Sequence, residues 1–187
     1  MKKTAVIFPG LGYGPDRPLL YYAGKIAKEC GYDLITIKYN GIDKATLRDI
    51  SKMPDAFNLA SQQAQEQLSG AGLAECDDVL FISKSIGTVA AATYAAGQNI
   101  SAGQLFFTPF PQAITLATEG GGLVFIGDKD QWVDDKEIRS LCEAKKISFN
   151  LISGANHSLE TGHTLDDVDN LANIIGKAAA YISGENR

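Results

Sequence analysis

The stretch that most constrains this chain runs from Phe81 to Val89, FISKSIGTV. An apolar run, Val79-Leu80-Phe81-Ile82, leads through Ser83-Lys84-Ser85-Ile86-Gly87 into an alanine-rich segment. A strand that turns at once into a helix crowds the backbone around its central residue, so the positions two before and two after must be small. Ser83 and Gly87 meet that demand, and Ser85 is then presented at the N-terminus of the helix. Free N–H groups and aligned peptide dipoles there favour negative charge. A competing interpretation is that Ser85 merely caps the helix, since serine is a preferred N-cap.

Short apolar runs and period-3.6 segments alternate along the whole chain, which argues a parallel sheet with right-handed crossovers. Strands are predicted over 5–8, 34–39, 79–83, 104–108, 123–127 and 147–152, each apolar enough to be covered on both faces. The helices between them carry Leu19, Leu20, Ala23, Ile26 and Ala27; then Phe57, Ala60, Ala64 and Leu68; then Val89, Ala90, Thr93 and Ala96; then Ile138, Leu141 and Cys142. A last helix over about 166–182 presents Val168, Leu171, Ile174, Ile175, Ala178 and Ala179. The expected fold is α/β, a three-layer α/β/α sandwich around a mostly parallel six-stranded sheet. At 187 residues the chain suits one domain spanning 1–187.

Lys and Arg total 17 against 22 Asp and Glu, and no basic cluster occurs. Nucleic acid and membrane surfaces are therefore not expected partners. The apolar run after Met1-Lys2-Lys3-Thr4 ends within four residues at Pro9-Gly10, too short for a signal peptide, and no run is long enough to span a bilayer. Three widely spaced cysteines, Cys30, Cys76 and Cys142, read as reduced thiols in a cytoplasmic protein. No metal-ligand spacing is present. Gly10-Leu11-Gly12-Tyr13-Gly14 does not match the dinucleotide spacing G-x-G-x-x-G, and no cofactor is expected.

Two later segments bear on Ser85. Gly127-Asp128-Lys129-Asp130-Gln131-Trp132-Val133 and Gly154-Ala155-Asn156-His157-Ser158 each follow a predicted strand, at the sheet edge where open α/β proteins gather functional groups. Asp128, Asp130, Asp134 and Asp135 are candidate acids, the last two also suited to starting a helix. Of the two histidines, His163 lies next to a helix start and reads as a surface or capping residue.

In this order of serine, acid and histidine the chain resembles the α/β-hydrolase superfamily over nearly its whole length, as a small member without the N-terminal hairpin or a cap domain. Only the short 108–122 connection stands where larger members insert a cap, so an open cleft is expected. The resemblance implies Ser85 as nucleophile, His157 as general base and Asp130 as acid by its place in a G-x-x-D-x-x-V-like loop, with Asp128 as alternate. It also implies an oxyanion hole built from the N–H of Ile86 and of Leu11 or Gly12. Pro9 stands where the family's oxyanion loop usually carries histidine. Lys84 reads as a variable position of the turn. Tyr13, Phe110 and Trp132 are candidate pocket residues. The implied activity is a serine hydrolase acting on a small ester or thioester; an acyltransferase, or a non-catalytic small-molecule-binding module, are the alternatives.

Overall fold

The computed structural model describes residues 1–42 and 49–185. Strands β1 (Lys3–Phe8), β2 (Asp33–Thr36), β3 (Asp78–Lys84), β4 (Gly103–Phe107), β5 (Gly122–Gly127) and β6 (Ser148–Ile152) form one sheet in the order β2-β1-β3-β4-β5-β6. Every neighbouring pair is parallel. Around it lie α1 (Pro18–Glu29), α2 (Met53–Leu68), α3 (Ile86–Gln98), α4 (Pro111–Leu116), α5 (Asp135–Ala144) and α6 (Thr164–Ile182).

The apolar strands are explained by double coverage. Alternate residues point to opposite faces, so Ala5, Ile7, Leu80, Ile82, Leu105 and Phe107 pack with α1 and α6. Val6, Phe8, Phe81, Phe106 and Val124 pack with α2, α3, α4 and α5. The division follows from handedness. Right-handed crossovers put helices on opposite faces when the chain steps in opposite directions. It steps one way from β1 to β2 and the other way in every later connection. The change of direction leaves a crevice beyond the ends of β1 and β3.

The expected sandwich is found, with a sheet that is wholly rather than mostly parallel. Other expectations need correction. β2 ends at Thr36 rather than 39, because Ile7 is the last β1 residue in its ladder and Ile37 N–H makes the final bond to the Ile7 carbonyl, 2.9 Å. The 108–122 connection contains α4, started by Pro111 at its first position, where a proline loses no helical hydrogen bond. On α3, Thr93 and Ala96 are exposed. Its buried surface is the almost continuous run from Ile86 to Ala92 with Tyr94 and Ala95, because α2 and α4 flank it and the sheet lies beneath. Val168 is 56% exposed, since the first turns of α6 border an open cavity rather than the sheet.

The site end of the sheet is set by a close approach. A Cβ on Gly87 would lie 2.2 Å from the Phe8 carbonyl oxygen and 2.4 Å from that of Pro9. Backbone on both sides leaves nothing to swing away. Gly87→Ala is expected to destabilise the protein by about 3 kcal/mol or more, the upper end of overpacking, read as a lower urea midpoint at unchanged slope. A change within about 0.5 kcal/mol, the range of ordinary surface substitutions, would show that the approach relaxes freely.

Candidate active site

Ser85 sits between β3 and α3 with φ 55° and ψ −125°, a region that costs a non-glycine residue roughly 1–3 kcal/mol. The surrounding bonds fix it. Its N–H donates to the Phe107 carbonyl (3.1 Å), and its carbonyl accepts from the N–H (2.9 Å) and hydroxyl (2.6 Å) of Thr88. The side chain makes no capping bond to the helix. Instead Ser85 Oγ lies 2.8 Å from His157 Nε2.

His157 Nδ1 is 2.7 Å from Asp130 Oδ2. A carboxylate can only accept, so Nδ1 carries the proton and Nε2 is left with a lone pair for the Ser85 hydroxyl. The Asp130 side chain is fully buried, and its other oxygen accepts from Trp132 N–H at 2.9 Å. Burial without such donors would be costly for a charge. Asp128 has a different place: its carboxylate accepts from Gly154 N–H, 2.7 Å, and the Ser153 hydroxyl, 3.4 Å, tying the loop after β5 to the one carrying His157. Asp134 caps α5 by accepting from Lys136 N–H, and Asp135 is the first residue of that helix. His163 is exposed at the N-cap of α6.

The His157 loop is braced by polar groups. Asn156 Oδ1 accepts from the N–H of Ser158 (2.7 Å) and Glu160 (3.2 Å). Gly127 lets the loop press close, since a Cβ there would lie 2.0 Å from the Ala155 carbonyl oxygen. On the opposite wall, Gly10 and Tyr13 exchange two backbone bonds, 3.1 and 3.3 Å, and Gly12 takes φ 75° at the turn, where glycine is favoured. The N–H groups of Leu11, Gly12 and Ile86 have no backbone acceptor among the described residues.

An open cleft of about 400 Å³ is lined by Leu11, Gly12, Tyr13, Lys84, Ser85, Trp132 and His157. Phe110, expected in the pocket, is not part of this wall. It is buried against Phe57, with ring centroids 4.9 Å apart, and lies 6.2 Å behind the His157 ring. A second cavity of about 320 Å³, between α1 and α6, shares Tyr13 and Ser158 with the cleft.

Lys84 is the residue that sequence reasoning missed. It is 1% exposed, and Nζ donates to Thr108 Oγ1 and, at 2.7 Å, to the His157 carbonyl. Strand alternation contained the signal. Leu80 and Ile82 point to the α1/α6 face, and Lys84 continues that row. Burial pulls the His157 pKa below its usual value and the Lys84 charge adds to this, while Asp130 opposes both by hydrogen bond and charge. Among the described residues no group of three or more His, Cys, Asp or Glu could hold a metal ion, and no helix is long and apolar enough to cross a membrane.

No family model matches the sequence, and no curated protein does. Solved structures do match. An α/β serine hydrolase homologue from Coxiella burnetii is 16% identical with a TM-score of 0.66, over 94% of this chain and 84% of that one. A lidless α/β serine hydrolase from Xanthomonas campestris is 14% identical with a TM-score of 0.59, over 96% and 80%. An esterase from Pyrococcus furiosus is 11% identical with a TM-score of 0.63, over 97% and 84%. At these identities the likeness establishes the fold.

An NMR titration of the imidazole signals checks the electrostatics. His157 is expected to take up its proton below the ordinary histidine value of 6.5, so that it stays a base in mildly acidic solution. Protonation at or above that value would mean that Asp130 outweighs burial and Lys84.

Proposed function

We propose, for a chain with the α/β-hydrolase fold, that it is a serine hydrolase cleaving a small ester or thioester through an acyl-serine intermediate. The observation that carries the reading is the unbroken hydrogen-bonded row from Ser85 through His157 to Asp130 at the edge of an open cleft. A serine hydroxyl is a weak nucleophile until a neighbouring base takes its proton. His157 has the free lone pair for that task, and Asp130 holds the tautomer and stabilises the imidazolium that forms.

In the first half of the reaction Ser85 Oγ attacks the carbonyl carbon as its proton passes to His157 Nε2. The carbonyl oxygen gains the negative charge, and the N–H of Ile86 with that of Leu11 or Gly12 stabilise it. His157 then gives its proton to the departing alkoxide or thiolate, leaving the acyl group on Ser85. In the second half His157 takes a proton from water, the hydroxide attacks the acyl carbon, and the proton returns to Ser85 as the acid leaves. The strained turn at Ser85 supports the reading because strain of this kind gathers at functional sites.

The assignment is tested by turnover of an aryl ester. Ser85→Ala should lower kcat by about three orders of magnitude or more, and Asp130→Asn by about 10⁴-fold through the wrong imidazole tautomer. Asp128→Asn should cost much less, because Asp128 ties two loops together and does not touch the imidazole. Near-normal turnover by folded Ser85→Ala would remove the nucleophile, and a reversed order of the two aspartates would move the acid to Asp128.

Substrate size follows from the cleft. Each buried methylene is worth about 0.8 kcal/mol, so kcat/KM rises with acyl length only while the walls can cover the chain. With Leu11, Tyr13 and Trp132 around an open cleft, it is expected to peak at roughly two to four acyl carbons. A profile still climbing at long chains would contradict this and send the tail past Tyr13 into the cavity between α1 and α6.

A further inference from the structure

We infer that Lys84 is a positioning residue, whose buried amine clamps the loop carrying His157 to the serine turn through the His157 carbonyl and the Thr108 hydroxyl. The role deepens the proposed chemistry, and its consequence for turnover rests on that reading. The geometry comes from three elements. Lys84 is the last residue of β3, next to Ser85; Thr108 follows β4; His157 follows β6. One nitrogen therefore joins the serine turn, the end of the neighbouring strand and the histidine loop.

Thr108 has φ 46°, an unfavourable conformation for a β-branched residue. Its N–H donates to the Phe125 carbonyl at 2.7 Å, and its hydroxyl faces the Lys84 amine, so both of its polar contacts hold the strained turn. The His157 carbonyl accepts from Lys84 while the imidazole reaches Ser85 and Asp130. Backbone and ring of the same residue are thus anchored separately, which limits how far the ring can drift from Ser85. Without Lys84 the carbonyl would lose its buried donor, and the loop could move to find water.

The charged and titratable groups around Lys84 come from every surrounding loop. Tyr13, after β1, lies with its ring centroid 5.1 Å from Nζ, and burial pushes its phenol up to about 12. Asp130, after β5, and Glu160, after β6, favour the ammonium, while burial outweighs both and pulls Lys84 down to about 7. His157 completes the set, as a second basic group that the Lys84 charge opposes. A neutral amine still has two N–H groups for its two acceptors. The clamp therefore persists in either protonation state, and only the electrostatic effect on His157 changes.

Lys84→Met keeps most of the length and apolar bulk of the side chain while deleting the donor and the charge. The experiment compares this variant with the wild type in two ways: an NMR titration of His157, and kcat and KM for a short-chain aryl ester. The expected result is a His157 titration moved to higher pH. With it, kcat should fall about 10- to 100-fold, the scale of a displacement near 1 Å in a reacting group, with KM within about twofold. The acid limb of the pH–kcat profile should move with the titration. An unmoved titration, or unchanged kcat in a folded variant, would overturn the inference. Should Lys84→Met not fold, Lys84→Gln, one atom shorter and uncharged, is read through the amide hydrogen exchange of the His157 loop: faster exchange than in the wild type supports the clamp, and unchanged exchange overturns it. If the wild type fails to hydrolyse any ester, the acyl-transfer reading fails, while amide hydrogen exchange of residues 155–160 in Lys84→Met still decides for or against the clamp: faster exchange than in the wild type supports it, and unchanged exchange overturns it.

Discussion

The backbone turn at Ser85 is the constraint around which the site end of the molecule is arranged. A non-glycine residue at φ 55° and ψ −125° persists only where its surroundings hold it. Here the Phe107 carbonyl takes its N–H and Thr88 takes its carbonyl. Gly87 allows α3 to start directly under the carbonyls of Phe8 and Pro9, and Gly10 leaves room beside the Ser85 side chain, where a Cβ would come within 3.1 Å of Ser85 Cβ. The conformation thus depends on three strands at once. The same crowding points the hydroxyl away from the helix and toward His157.

Polar groups buried around this turn are satisfied in a way that fixes the roles available to them. Asp130 has two donors for its two oxygens, so its charge can sit in a dry place at lower cost than an unpaired one. Lys84 meets two acceptors and is surrounded by two carboxylates that favour its charge. The result is a compact arrangement in which burial and the Lys84 charge disfavour protonation of His157 while Asp130 favours it. Loop bracing by Asn156 and Asp128 keeps that arrangement from depending on surface side chains alone.

Much of this was legible in the sequence, for physical reasons. Strands such as Val79–Ile82 could be recognised because doubly covered strands must be apolar throughout, and Gly87 because the turn excludes a Cβ. Ser85, Asp130 and His157, which the family resemblance singled out among the candidates placed after strands, are the three that the structure joins by hydrogen bonds. The helix faces were less legible. The spacing of Thr93 and Ala96 puts them on a sheet-facing stripe of α3 because a stripe is what a one-sided helix shows, yet α3 is enclosed by α2, α4 and the sheet. Val168 failed for the opposite reason: a periodic pattern says which residues share a face but not where the covering layer ends. Lys84 was hidden by its charge, since lysine is rarely buried unless paired, and its partners Thr108 and His157 lie 24 and 73 residues away.

The most direct measurement of whether this arrangement makes Ser85 a nucleophile is its covalent capture. A fluorophosphonate reacts with an activated serine by losing fluoride and forming a phosphorus–oxygen bond, and the adduct is read by intact mass and located by peptide mapping. The expected result is a single adduct on the peptide carrying Ser85, formed by the wild-type protein and absent from Ser85→Ala. No adduct in the folded wild type, or an adduct on a different residue that survives in Ser85→Ala, would contradict the central claim that the hydrogen-bonded row from Asp130 to Ser85 activates that hydroxyl.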